Sequence, residues 1–158
     1  MQDDSIKRRS FLQTCCTSAL GLGLPLATFS LSSCSGIHFA TGTVENGALR
    51  IDRSEFTEQR EGVDHNRPYV LIQTESSPFP ICVHRQGKDA DGQDKFSAAL
   101  LSCTHNVCEL NVSGQMLICP CHGSEFTLDG TVVRGPANEN LMTFKTRVDH
   151  GNIWISKN

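Results

Sequence analysis

Positive charge is not in excess in this chain: Lys and Arg number 14 against 17 Asp and Glu, a formal net charge of −3. A surface that grips a nucleic-acid backbone needs clustered cations to displace counterions. Beyond the first few residues the cations here are scattered among acids, so no nucleic-acid partner is expected. No internal repeat and no long helical period is visible, and 158 residues leave room for one compact domain. Charge of either sign is absent from Ser10 to Val44, where no Asp, Glu, Lys or Arg occurs. A soluble helix keeps a charged face, so this layout fits an export signal better than a packed helix.

Just before that uncharged stretch stands Lys7-Arg8-Arg9-Ser10-Phe11-Leu12-Gln13, which resembles the twin-arginine signal used to move folded proteins across a membrane. Gly21, Gly23 and Pro25 weaken any core helix in the same region. Leu31-Ser32-Ser33-Cys34 resembles a lipobox, which makes Cys34 a candidate for acylation. The rival is an uncleaved membrane anchor, since the apolar run from Thr14 to Gly36 is about 23 residues, long enough to span a bilayer. The expected division is a signal or anchor segment over 1–34, a flexible Gly/Ser/Thr-rich linker over 35–46, and one domain over 47–158.

From about Leu49 the pattern is β. Runs rich in Val, Ile, Thr and Phe at 68–73, 79–83, 96–102, 115–118, 131–134, 141–148 and 152–156 alternate with turn-formers. These predict an all-β, small antiparallel fold. Ser113-Gly114, Asp129-Gly130 and His150-Gly151 are the expected tight turns, and polar 86–95 reads as an exposed loop.

The chemistry is concentrated between Cys103 and His122. Of eight cysteines, four fall in that window together with two histidines, in the boxes CTHNVC (103–108) and CPCHGS (119–124). Thiolate and imidazole at C-x-H and C-x-x-H spacing, each pair on its own turn, suit a tetrahedral S/N metal site. At this level a structural zinc module and a plain disulfide framework both stay open. Cys82, in the run 79–83, reads as an inert strand residue.

The two boxes resemble those of the Rieske iron–sulfur family. The resemblance spans about 101–141 and includes Gly135-Pro136-Ala137, similar to the family's proline loop. It implies a sandwich or barrel with an inserted two-loop cluster-binding part and one [2Fe–2S] cluster per chain, with Cys103 and Cys119 on one iron and His105 and His122 on the other. It also implies a disulfide between Cys108 and Cys121. Ser124 matches the serine that donates a hydrogen bond to a cluster sulfur. Phe126 stands where high-potential members carry a Tyr whose phenol bonds a ligand cysteine. Asn106 and Val107 replace the Leu and Gly of quinol-oxidising members, and Asn138 replaces the second proline of the loop.

In function, the resemblance implies one-electron transfer on the periplasmic side of a bacterial cytoplasmic membrane, reached by the twin-arginine route. The chain then acts with cytochrome b and c partners in a quinol–cytochrome c reductase-like complex. The alternative is the small subunit of an arsenite oxidase-like molybdenum oxidoreductase, with a molybdopterin subunit as partner.

Overall fold

The computed structural model describes residues 36–157, which fall in the compact unit Ser35–Asn158. Arg8, Arg9, Cys34 and the expected anchor helix lie outside the described residues. Thirteen strands run in order: β1 (Gly42–Glu45), β2 (Ala48–Asp52), β3 (Thr57–Arg60), β4 (Val63–Asn66), β5 (Tyr69–Ile72), β6 (Ile81–Lys88), β7 (Asp94–Leu100), β8 (Asn111–Ser113), β9 (Met116–Ile118), β10 (Glu125–Thr127), β11 (Val132–Arg134), β12 (Thr143–Asp149) and β13 (Asn152–Lys157). A single 3-10 turn, Arg53–Phe56, interrupts them. No helix among the described residues is long and apolar enough to cross a membrane.

Seven strands form the base sheet, in the order β1-β2-β13-β12-β7-β6-β5, and four short ones form a second sheet, β11-β10-β9-β8. The second sheet is an insertion: the chain leaves the base at Leu100 and returns at Thr143. Period-two alternation on β5, β6 and β7 explains how one sheet serves two cores. Val70, Val83 and Ala98 are paired across the strands and face an inner core with Ile51, Phe56, Phe96, Ile153 and Ile155. Leu71, Cys82 and Ala99, one residue away on each strand, face the opposite side. There they pack with Leu101, Cys103, Leu117, Cys119, Phe126 and Leu128 of the insertion. The cluster boxes are thereby built on the outer face of the base sheet.

Gly130 shows how close the two parts come. A Cβ there meets Thr143 Cγ2 at 3.1 Å, Leu141 Cβ at 3.3 Å and Ala99 Cβ at 3.4 Å, and its φ of +90° disfavours any other residue. Leu141 N–H donates to Gly130 O at 2.9 Å, closing the seam.

Two expectations need correction. The segment 35–46 is not a free leash: Ala40 N–H donates to Leu71 O at 2.8 Å, Leu71 N–H donates to His38 O at 2.9 Å, and Gly42–Glu45 is strand β1. The reason is local. Asn46 and Gly47 both take positive φ (50° and 77°), the two-residue hairpin turn that folds Thr43 and Val44 onto β2. His38 Nε2, 2.5 Å from Glu55 Oε2, holds the strap in place. The domain's ordered part therefore starts ahead of residue 47. Nor is 86–95 mostly loop: Lys88 pairs with Asp94 and Gly87 with Lys95, and only 89–93 turns. The Asp89 carboxylate accepts from the N–H groups of Asp91 and Gln93, which makes that turn tight without a hydrophobic signal.

Candidate metal centre

Each box folds into a turn closed by its own backbone. In the first, Cys103 N–H donates to Cys108 O at 2.9 Å, and Leu110 N–H to Leu101 O at 3.1 Å. In the second, Cys119 N–H donates to Ser124 O at 2.8 Å and Gly123 N–H to Cys119 O at 3.0 Å. Gly123 has φ +77°, which lets the chain reverse directly after His122. Cys108 and Cys121 are joined by a disulfide that ties the two turns together.

This folding separates the donors by depth. Cys103 and Cys119 are 2% and 1% exposed, inside the outer core. His105 and His122 are exposed, with ring centroids 4.9 Å apart and planes at 86°. The sulfurs of Cys108, Cys119 and Cys121 lie within 4.8 Å of one another, but two of them are bonded to each other, so Cys119 is the one free thiol of that group. Cys103 and Cys119 lie in the same buried cluster.

The electrostatics prepare Cys103 for a cation. Burial pushes its thiol up, but the backbone N–H groups of Asn106 and His105, then the Cys119 thiol and the Ser124 hydroxyl, outweigh burial and hold it below the ordinary thiol value. A thiolate that accepts several N–H bonds is a ready metal ligand. Cys82 is the contrast. It is fully buried without such donors, and burial pushes its thiol up to about 12, which keeps it protonated and unreactive, as the strand reading implied.

A third loop covers the pair. Gly135-Pro136 is a cis peptide, and Ala137 N–H donates at 3.0 Å to the Ser124 hydroxyl, which is fully buried. The Thr104 hydroxyl donates to Glu139 O at 2.8 Å, and Val132 N–H to Asn140 Oδ1 at 2.9 Å. Thr104 and Asn140 are the residues that sequence reasoning passed over. Thr104 sat inside the first box, and only its contact 35 positions away gives it a role. Phe126, on β10 between Leu117 and Val132, is fully buried in the outer core beside the two thiols.

Of the four donors named from the sequence, the two sulfurs are buried and the two imidazoles are exposed with their rings 4.9 Å apart, a division compatible with mixed sulfur and nitrogen ligation. A groove of about 630 Å³ between Leu49, Ile81, Phe144 and Ile155 contains none of them.

The family model for the Rieske [2Fe-2S] domain matches residues 63–145. The cytochrome b6-f complex iron-sulfur subunit of Synechococcus sp. (strain CC9605) is 36% identical over 74 residues, 46% of this chain and 40% of that protein. Subunit 2 of Nostoc sp. (strain PCC 7120 / SAG 25.82 / UTEX 2576) is 44% identical over 57 residues, 35% of this chain and 32% of that protein. The chain therefore spans less than half the length of these curated relatives. Among solved structures, the plasma membrane Rieske protein PetC3 from Synechocystis PCC 6803 is 35% identical, with a TM-score of 0.47, covering 56% of this chain and 86% of that one.

Proposed function

Since the chain belongs to the Rieske [2Fe–2S] domain family, we propose that Cys103, Cys119, His105 and His122 hold its cluster and that it carries single electrons on the outer face of a bacterial cytoplasmic membrane. When bound, such a cluster exchanges one electron at a potential of roughly −150 to +300 mV. The observation that carries the assignment is the division of donors by depth: the thiols are in the outer core and the imidazoles at the surface.

Each residue then has a task. Cys103 and Cys119 would supply the two thiolate ligands, in a core with Leu101, Leu117 and Phe126 that keeps water out. His105 and His122 would supply the two imidazole ligands at the exposed surface, where a partner can approach. Ser124 and the backbone N–H groups of His105 and Asn106 offset negative charge on sulfur. The Cys108–Cys121 disulfide and the Thr104–Glu139 bond fix the spacing of the three loops.

Export by the twin-arginine route is supported by Arg8 and Arg9 and by the disulfide, which belongs to an oxidising compartment. Tethering through an anchor or through acylated Cys34 keeps the domain at the membrane. A respiratory partner of the cytochrome b and c type is favoured by the sequence likeness to cytochrome b6-f iron-sulfur subunits. Film voltammetry of the purified chain tests the reading: a reversible one-electron wave in the stated range is expected, and no wave in an iron-loaded sample overturns it.

A further inference from the structure

Charge is divided unevenly between the two parts of the molecule. Residues 96–144, which contain the four-stranded sheet and all three loops, have no Lys; their charged residues are Glu109, Glu125, Asp129 and Glu139 against Arg134 alone. Four carboxylates against one guanidinium give −3, the formal charge of the whole chain, so everything else nets zero. Arg134 is bonded to Glu125 at 2.7 Å. Glu109 and Glu139 have no ion-pair partner among the described residues, and both are exposed.

Their positions matter more than their number. Glu139 lies beside the first box, where its carbonyl accepts the Thr104 hydroxyl, and Glu109 follows Cys108 and bridges to Ser102. Between them the surface around the two imidazoles is uncharged: Asn106, Val107, Pro120 and Pro136 are all exposed, Val107 by 71%. Electron transfer between proteins needs a contact whose centre gives up water cheaply, with charges kept to a rim where they steer the encounter. Here the centre is uncharged and the unpaired rim charges are anionic.

We infer that this tip docks a soluble one-electron redox protein whose cofactor edge is ringed by Lys and Arg. The inference rests on the electron-transfer reading and names its partner by charge. One electron leaves this chain and reduces the partner's oxidised metal centre; no bond or proton need move. A partner without cations facing this rim leaves Glu109 and Glu139 unpaired on contact, which costs affinity.

The test uses the cluster-loaded full chain and two probes: a basic soluble cytochrome c and an acidic cytochrome of similar size. Binding is measured calorimetrically with zinc in place of haem iron, and electron transfer by stopped flow with the iron forms. Raising ionic strength from 0.01 to 0.15 M shortens the screening length from about 30 to about 8 Å. Affinity and rate for the basic probe should both fall by about tenfold or more. Glu109→Lys and Glu139→Lys should each weaken binding several-fold at low salt. Asp91→Lys, the same charge change in the β6–β7 turn at the far end of the sheet, should not. Salt-independent binding, equal affinity for the acidic probe, or an equal effect of Asp91→Lys overturns the docking surface. A reversible electrode wave in that case leaves the electron-transfer reading standing, whereas its absence removes both.

Discussion

The base sheet and the inserted cluster part are stabilised by different means. The base is made of strands of four to eight residues whose alternate side chains fill an inner core. Burial of that apolar surface stabilises it. The insertion has strands of three residues each, too short to be stable as an isolated sheet. Its order comes from two other sources: the apolar seam on Leu71, Cys82 and Ala99 and the Cys108–Cys121 bond. A platform held by burial thus supports a site tied together by a covalent cross-link. Single substitutions can separate these two kinds of stability.

Loss of a buried thiol has the largest expected effect. Cys119→Ala should abolish the visible absorbance and the bound iron, while the base sheet keeps its β signal in far-ultraviolet circular dichroism. Retention of stoichiometric iron would contradict the assignment of Cys119, and collapse of the whole β signal would contradict the independence of the base.

The disulfide comes next. It links residues 13 apart in sequence, and closing a loop of that size is worth about 3 kcal/mol in the chain-entropy account. Cys108→Ser together with Cys121→Ser should lower the denaturant concentration at which iron is released. The base can be followed separately through Trp154, the single tryptophan, on β13. Its fluorescence transition should move much less than iron release, and equal shifts would mean that the two parts unfold as one.

Phe126→Tyr acts on the site's energy rather than on its shape. A phenol placed to donate to a ligand sulfur favours the reduced state, and a hydrogen bond to a charged group is worth about 1.5–3 kcal/mol. With about 59 mV per tenfold change for one electron, the midpoint should rise by about 65–130 mV at most. Voltammetry showing an unchanged or lower value with the cluster intact would mean that residue 126 does not address a ligand sulfur.

The smallest effect concerns the seam. His84 lies on β6 between Tyr69 and Ser97, on the face turned to the insertion. Burial lowers its pKa, and the nearby Asp129 carboxylate offsets part of this. The folded state therefore prefers the neutral ring. Its contribution is complete above the unfolded value of about 6.5 and is lost as pH falls below that toward the lowered folded value. The melting temperature should decline between about pH 7 and 5, and His84→Gln should flatten that decline. Parallel pH curves for the two proteins would place the acid sensitivity elsewhere.

Legibility in the sequence followed the same division. The two boxes were readable because cysteine and histidine at close spacing have few other uses, and all seven expected runs overlap strands of the same region. The runs 79–83 and 141–148 each start two residues ahead of their strands, β6 and β12. Strands β1 to β4 were mostly missed for a physical reason: β4 is exposed along its whole length, so no alternation marks it, and β3 buries nothing fully. Asn46-Gly47 and Glu61-Gly62, both with positive φ, were the available signals. The strap from His38 to Ala40 could not be read locally, because what fixes it is the edge of β5 and Glu55, distant in sequence. Thr104 and Asn140 likewise gain their roles only from loops that meet in space.

A holder for a two-iron cluster with mixed sulfur and nitrogen ligands has its own signature in electron paramagnetic resonance of the dithionite-reduced chain, with iron and acid-labile sulfide assayed on the same sample. Two irons and two sulfides per chain are expected, as the [2Fe–2S] family requires, with a signal that His122→Cys shifts while Cys82→Ser leaves unchanged. A colourless protein with stoichiometric zinc, or a signal indifferent to His122→Cys, would contradict it.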